Sequence, residues 1–167
     1  MKVVSKLVCL TTVVLLASNF FCRGEEAAQW GDLINRSTKI EAVLLKETLP
    51  NPQLVERTKH VVLNKKQTIL VKKFFNTATN YADVVTDCAP QYGARLIFYF
   101  DANQNKTNDA SKILKLDLCF SCGHMRGELD GKQLAGKYDG FKPMHEPLLN
   151  LFKELFPKES LFAPLPF

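Results

Sequence analysis

The chain has 167 residues, 46% hydrophobic and 23% charged, with 12 phenylalanines and a formal net charge of +5. Such a composition belongs to a packed globule and excludes a disordered secreted peptide, which could not bury enough apolar surface to offset its ordering entropy. Part of the positive charge sits at the extreme N-terminus, and what remains is too small to support nucleic acid or an anionic membrane as a partner.

Met1 to Lys6 carries Lys2 and Lys6, Leu7 to Phe21 is apolar, and Cys22, Arg23 and Gly24 follow. This is the three-part layout of an export signal. The apolar run falls short of the about 20 residues a membrane span needs. The sequence therefore predicts a signal peptide over 1–24, cleaved after Gly24 or after Ser18, with no stable membrane span once it is gone. An uncleaved signal anchor is the competing reading; a lipoprotein centred on Cys22 is disfavoured because Asn19, Phe20 and Phe21 precede it. Cleavage removes Lys2, Lys6 and Arg23 and no acid, which takes the charge from +5 to +2. The expected location is secreted or periplasmic, and the remaining length suits one domain with one core.

Residues 25–38 read as a flexible arm or a short helix around Trp30, Leu33 and Ile34, ahead of a single domain over 39–157. Ile40 to Leu45 predicts a strand that Pro50 and Pro52 close off. Asn64 and Gln67 have capping-box spacing. After them Leu70, Val71, Phe74, Phe75 and Ala78 share one face of a helix over 65–78, with Lys65, Lys66, Lys72 and Lys73 as its solvated side.

Arg95 to Phe100 is apolar on both faces and predicts a central strand. Asp101 to Ala110 is a polar hairpin loop, and Ile113 to Phe120 returns as a strand. Leu114, Leu116, Leu118 and Phe120 lie on one of its faces, with Lys115, Asp117 and Cys119 on the other, where Asp117 is expected to face solvent. Asp130-Gly131 predicts a tight turn between short strands at 125–129 and 132–135. Pro147 opens a helix over 147–156 with an apolar stripe from Leu148 to Phe156, Pro157 ends it, and 158–167 is a tail. The predicted fold is a single α+β domain, a mainly antiparallel meander covered by two amphipathic helices.

Of the five cysteines, Cys88, Cys119 and Cys122 survive signal removal. Antiparallel pairing of 95–100 with 113–120 would bring Cys88 towards Cys119 and Cys122. Three chemistries are open to that cluster. A structural disulfide would join Cys88 to Cys119 or Cys122 and stabilise the fold by a few kcal/mol. A redox dithiol would use Cys119-Phe120-Ser121-Cys122, although such thiols usually sit at a helix N-terminus and Cys119 ends a strand. Zinc would take Cys88, Cys119, Cys122 and His124 as a tetrahedral set, whereas covalent haem would want the histidine where Gly123 stands. His124 also reads as a surface residue on a strand. Asn35-Arg36-Ser37 and Asn105-Lys106-Thr107 are glycosylation triplets, relevant if the host glycosylates exported chains.

Tyr81, Asp87-Cys88-Ala89-Pro90-Gln91-Tyr92-Gly93, the apolar strand to Tyr99-Phe100-Asp101, and Leu116-Asp117-Leu118-Cys119-Phe120-Ser121-Cys122 before a leucine-rich helix resemble a group of uncharacterised, mostly bacterial exported proteins. The similarity spans about residues 64–157 and rests on the cysteines and their flanks. Many members carry a basic or histidine residue before the glycine, where this chain has Tyr92, so the resemblance implies no ligand or base there. It implies domain limits and no known activity.

No serine-nucleophile elbow, His-Glu-x-x-His helix or phosphate loop is present, and no catalytic or cofactor-binding residue is assigned. His145, Glu146 and Asp117 could be combined into an acid–base site, but helix capping and surface charge account for them more simply. The expected role is a non-enzymatic binding or interaction module held by a disulfide. The alternative is a thiol-redox or zinc-binding protein using the same cluster.

Overall fold

The computed structural model describes residues 31–48, 53–81, 91–101, 112–134, 140–141 and 145–159. Within them, residues 31–35 are helical (α1), followed by strands β1 (Lys39–Thr48), β2 (Gln53–Glu56) and β3 (Val61–Val62) and helix α2 (Lys65–Phe75). A 3-10 turn at Ala78–Asn80 precedes strands β4 (Ala94–Tyr99), β5 (Ile113–Leu118), β6 (Met125–Leu129) and β7 (Lys132–Leu134) and helix α3 (Glu146–Leu155). The chain is a single α+β domain, as its periodicities predict.

All strand pairs are antiparallel, in the order β2-β1-β4-β5-β6-β7, with β3 also pairing along β1. The stretch from β4 to β7 is a meander, and β4 is central, which explains its apolar character on both faces. The tight turn between β6 and β7 has Asp130 and Gly131 at φ 50° and 79°, the positive values that a two-residue hairpin requires.

Strand alternation sends Ile40, Ala42 and Leu44 of β1, Leu96 and Phe98 of β4, and Leu114, Leu116 and Leu118 of β5 to one face, all at most 1% exposed. Val71, Phe74 and Phe75 of α2 and Leu148, Leu151 and Phe152 of α3 cover that face in one continuous core. Phenylalanines supply much of its contact geometry: Phe74 with Phe75 and Phe120 with Phe152 meet edge-on at centroid separations of 4.9 and 5.5 Å, an arrangement that the ring quadrupoles favour.

The capping box of α2 forms as predicted. Gln67 N donates to Asn64 Oδ1 and Asn64 N donates to Gln67 Oε1, both at 3.0 Å. The helix ends at Phe75, with Ala78 already in the 3-10 turn. Lys72 is no solvated side chain: it is half-buried, and its Nζ donates to the carbonyls of Asn35 and Ser37 at 2.9 and 2.8 Å. Asn76 joins α2 to α1 through a reciprocal amide pair with Asn35, at 3.1 and 2.8 Å.

Two elements are additions to those the sequence predicts. Beyond Pro50 and Pro52 the chain folds back as β2 and β3 along the free edge of β1, at Leu45↔Glu56 and Glu41↔Val62 in register. Asp117 requires a correction, because it is 4% exposed where solvent exposure was expected. It does lie on the face away from the helices, but neighbouring side chains close over that face.

Candidate functional site

The link between β5 and β6 carries the cysteine cluster. Leu118, at the end of β5, is opposite both Ala94 at the start of β4 and Met125 at the start of β6. Cys119 to His124 must therefore reverse the chain within six residues. Gly123 N donates to Cys119 O and Cys119 N to His124 O, each at 2.9 Å. Gly123 has φ 74°, a left-handed conformation that a Cβ would strain.

This reversal turns both thiols inward. Cys119 is 0% and Cys122 7% exposed, and their Sγ atoms are 3.1 Å apart. At that separation the two sulfurs are not joined to each other, since a covalent S–S bond is about 2.05 Å. Cys119 Sγ accepts from Gln91 N at 3.3 Å and lies 3.2 Å from Ser121 Oγ, while Cys122 Sγ is 3.1 Å from His124 Nδ1. Burial opposes ionisation of Cys119, yet hydrogen bonds from Ser121, Cys122 and Gln91 outweigh it and hold the thiol below its ordinary value. His124 is half-buried and bridges Gly140 in a short antiparallel contact. It thus faces the cluster where a surface position was also open to it.

Cys88 lies outside the described residues, as does Asn105. The predicted pairing of Cys88 with Cys119 or Cys122 therefore lies outside the described residues, within which Cys119 and Cys122 adjoin each other. Among the described residues no group of three His, Cys, Asp or Glu side chains is disposed to hold a metal ion. Asn35 is exposed at the end of α1, with Ser37 of its triplet buried and donating to Ile34 O at 2.7 Å. His145 precedes α3 without a side-chain capping bond, and its ring meets Phe74 edge-on at 4.5 Å. It belongs to the helix-covered side, remote in role from the acid–base pairing considered for it with Asp117. Among the described residues no helix is long and apolar enough to cross a membrane.

A second cluster went unread in the sequence. On the face away from the helices, Tyr99 Oη donates to Glu41 Oε2 at 2.6 Å, and Glu41 also binds Lys39 at 3.0 Å and His60 at 2.9 Å. His60 continues to Glu56 at 2.8 Å and Glu56 to Arg95 at 3.2 Å. Arg95 binds Asp117 at 2.6 Å, and Asp117 binds Arg126 at 2.8 Å. Alternating charges thus link five strands and the β2–β3 connection around a small apolar patch of Val43, Leu45 and Ile97. Burial works against ionised Glu41, and hydrogen bonds from Tyr99, His60 and Lys39 overcome it, taking the carboxyl down to about 2. Burial, then the Glu41 carboxylate, push Tyr99 up to about 12. A glutamate within the apolar run of β1 was the one available signal, since burying a carboxylate requires partners.

No family model matches the chain, and no match is found among curated proteins or solved structures.

Proposed function

We propose that this chain is an exported, non-enzymatic interaction domain in which the Cys119–Cys122 turn closes as a local structural disulfide. The observation that carries the reading is the 3.1 Å approach of two buried thiols in one tight turn. Oxidation removes one proton and one electron from each thiol and joins the sulfurs, with an external disulfide taking both electrons and leaving as two thiols. An exported chain meets such oxidants outside the cytoplasm. The three-part N-terminus and the resemblance to exported proteins with a Cys-Phe-x-Cys pattern support that location.

Support for interaction over catalysis comes from how the polar groups are used. Glu41, Glu56, Arg95 and Asp117 are engaged by one another's partners, and both described thiols are shielded from a protein-sized substrate. The same shielding weighs against a disulfide oxidoreductase, whose attacking thiolate must be reached. The lowered Cys119 thiol favours the second reading, a reversible dithiol couple with Cys88, three positions before Gln91, as a further exchange partner.

Equilibration of the mature oxidised protein in glutathione buffers of graded potential tests this. A structural disulfide resists reduction to below about −300 mV, whereas opening near −200 mV would replace it with the redox reading. Stoichiometric zinc with all three thiols protected would overturn both.

A further inference from the structure

Both ring nitrogens of His60 face carboxylates. Nδ1 is 2.9 Å from Oε2 of Glu41 on β1, and Nε2 is 2.8 Å from Oε2 of Glu56 on β2. A neutral imidazole has one N–H and one lone pair, so it can donate to only one of the two and would set its lone pair against the other. Imidazolium alone donates to both, in charge-assisted bonds.

The carboxylates are held ionised by other groups. Glu41 accepts from Tyr99 of β4 at 2.6 Å and pairs with Lys39 of β1 at 3.0 Å, and Glu56 pairs with Arg95 of β4 at 3.2 Å. Farther along, Arg95 binds Asp117 of β5, which Arg126 of β6 also holds. When His60 loses its proton, none of these groups replaces the bond it gave up.

What hangs on His60 is the outer edge of the sheet. Residues 57–60 join β2 to β3, and both strands pair on the same side of β1. Besides four register pairs between β1 and β2 and two between β1 and β3, the connection is held by Arg57 N to Leu44 O at 2.9 Å, Leu44 N to Thr58 Oγ1 at 3.0 Å, Leu63 N to Ile40 O at 2.9 Å and the Arg57–Glu159 ion pair at 3.6 Å. β3 itself is two residues long. We propose that His60 is a pH-operated latch, which as imidazolium pins the β2–β3 edge to β1 and on deprotonation loosens that edge while the central sheet is unaffected.

The direction of the response follows from the charges. Glu56 and then Glu41 hold His60 above its ordinary value against the opposing effect of burial. A group raised in the folded state contributes its stability fully below its unfolded value of about 6.5, and that contribution is lost as pH rises through the folded value. Glu41 and Glu56 lie below the usual carboxylate range, so they stay ionised throughout this window.

The test is an NMR titration of the His60 ring in the intact protein, with amide exchange at Arg57 and Leu63 measured at about pH 5.5 and about pH 8.5. Protection, corrected for intrinsic exchange, should fall about two- to fivefold between the two conditions, the factor of a half-exposed ion pair. Amides of β4 should not change, and His60→Gln should abolish the step. A His60 midpoint at or below about 6.5, or constant protection at Arg57 and Leu63 through the titration, overturns the latch. The ring titration and the exchange of the unsubstituted protein need no variant, so they decide the matter even where His60→Gln misfolds.

Discussion

Arg95 on β4 and Asp117 on β5 are directly opposite in register, and Arg95 Nε donates to Asp117 Oδ1 at 2.6 Å. Arg126 reaches the other carboxylate oxygen at 2.8 Å, so one buried acid holds two guanidinium groups from flanking strands. Asp117 and Arg95 side chains are only 6% and 13% exposed. Deleting the acid would leave the largely buried Arg95 with only the more distant Glu56 at 3.2 Å to balance it, and Asp117→Ala should cost about 3 kcal/mol. The Lys115–Glu128 pair spans the next two strands but is 37% and 41% exposed, so Glu128→Ala should cost less than about 1 kcal/mol. Urea melts of the two variants would check the contrast; equal losses would mean that burial does not set the value of these pairs.

Glu41 makes the fold acid-sensitive. Its carboxyl sits at about 2, so its contribution is complete above the unfolded value of about 4.5 and is lost as pH falls towards 2. Glu41→Gln should flatten the stability profile over that interval by on the order of 2 kcal/mol and lower stability near neutrality. Thermal melts from about pH 2 to about pH 7 measure it, and an unchanged acid limb would show that Glu41 gains nothing from Tyr99, His60 and Lys39.

Gly31 is required by a side chain, since a Cβ there would collide with Asn76 Oδ1. Asn76 cannot simply swing aside, because it pairs with Asn35 and its Nδ2 donates to Lys72 O at 2.8 Å. Gly31→Ala should destabilise by about 1–2 kcal/mol. Adding Asn76→Ala should cost less in the Gly31→Ala background than alone. Strict additivity in that double-mutant cycle would contradict the contact.

The hairpin of β4 and β5, the capped helix α2 and the Asp130-Gly131 turn were legible because each is specified by residues close together in sequence. Their signals are local: alternation at Leu114, Leu116 and Leu118, reciprocal capping by Asn64 and Gln67, positive φ at a glycine. The edge strands β2 and β3 were not, since four- and two-residue strands carry too little periodicity and are stabilised by the neighbour they pair with. For the same reason the charge network stayed hidden. Glu41, Glu56, His60, Arg95, Asp117 and Arg126 meet only through the registers of five strands. Asp117 misled because alternation specifies a face, and the solvent exposure of that face depends on what the rest of the sheet lays over it. In the cysteine turn spacing singled out Cys119 and Cys122, but the inward reversal at Gly123 is a property of the folded connection.

Pairing within the turn also predicts how much a disulfide contributes. A four-residue loop stabilises by about 2 kcal/mol in the chain-entropy model, against about 4 kcal/mol for a loop of roughly 30 residues closed through Cys88. Denaturant melts of the oxidised protein with and without reductant should differ by the smaller figure. A difference near the larger one would point to a bridge from Cys88.

The most direct test is disulfide mapping of the protein purified under oxidising conditions: alkylation without reductant, proteolysis and mass analysis. A local structural disulfide predicts a peptide in which Cys119 and Cys122 are joined and a separate one in which Cys88 carries the alkylating label. A bridge from Cys88 to either residue, or label on both Cys119 and Cys122, would contradict it.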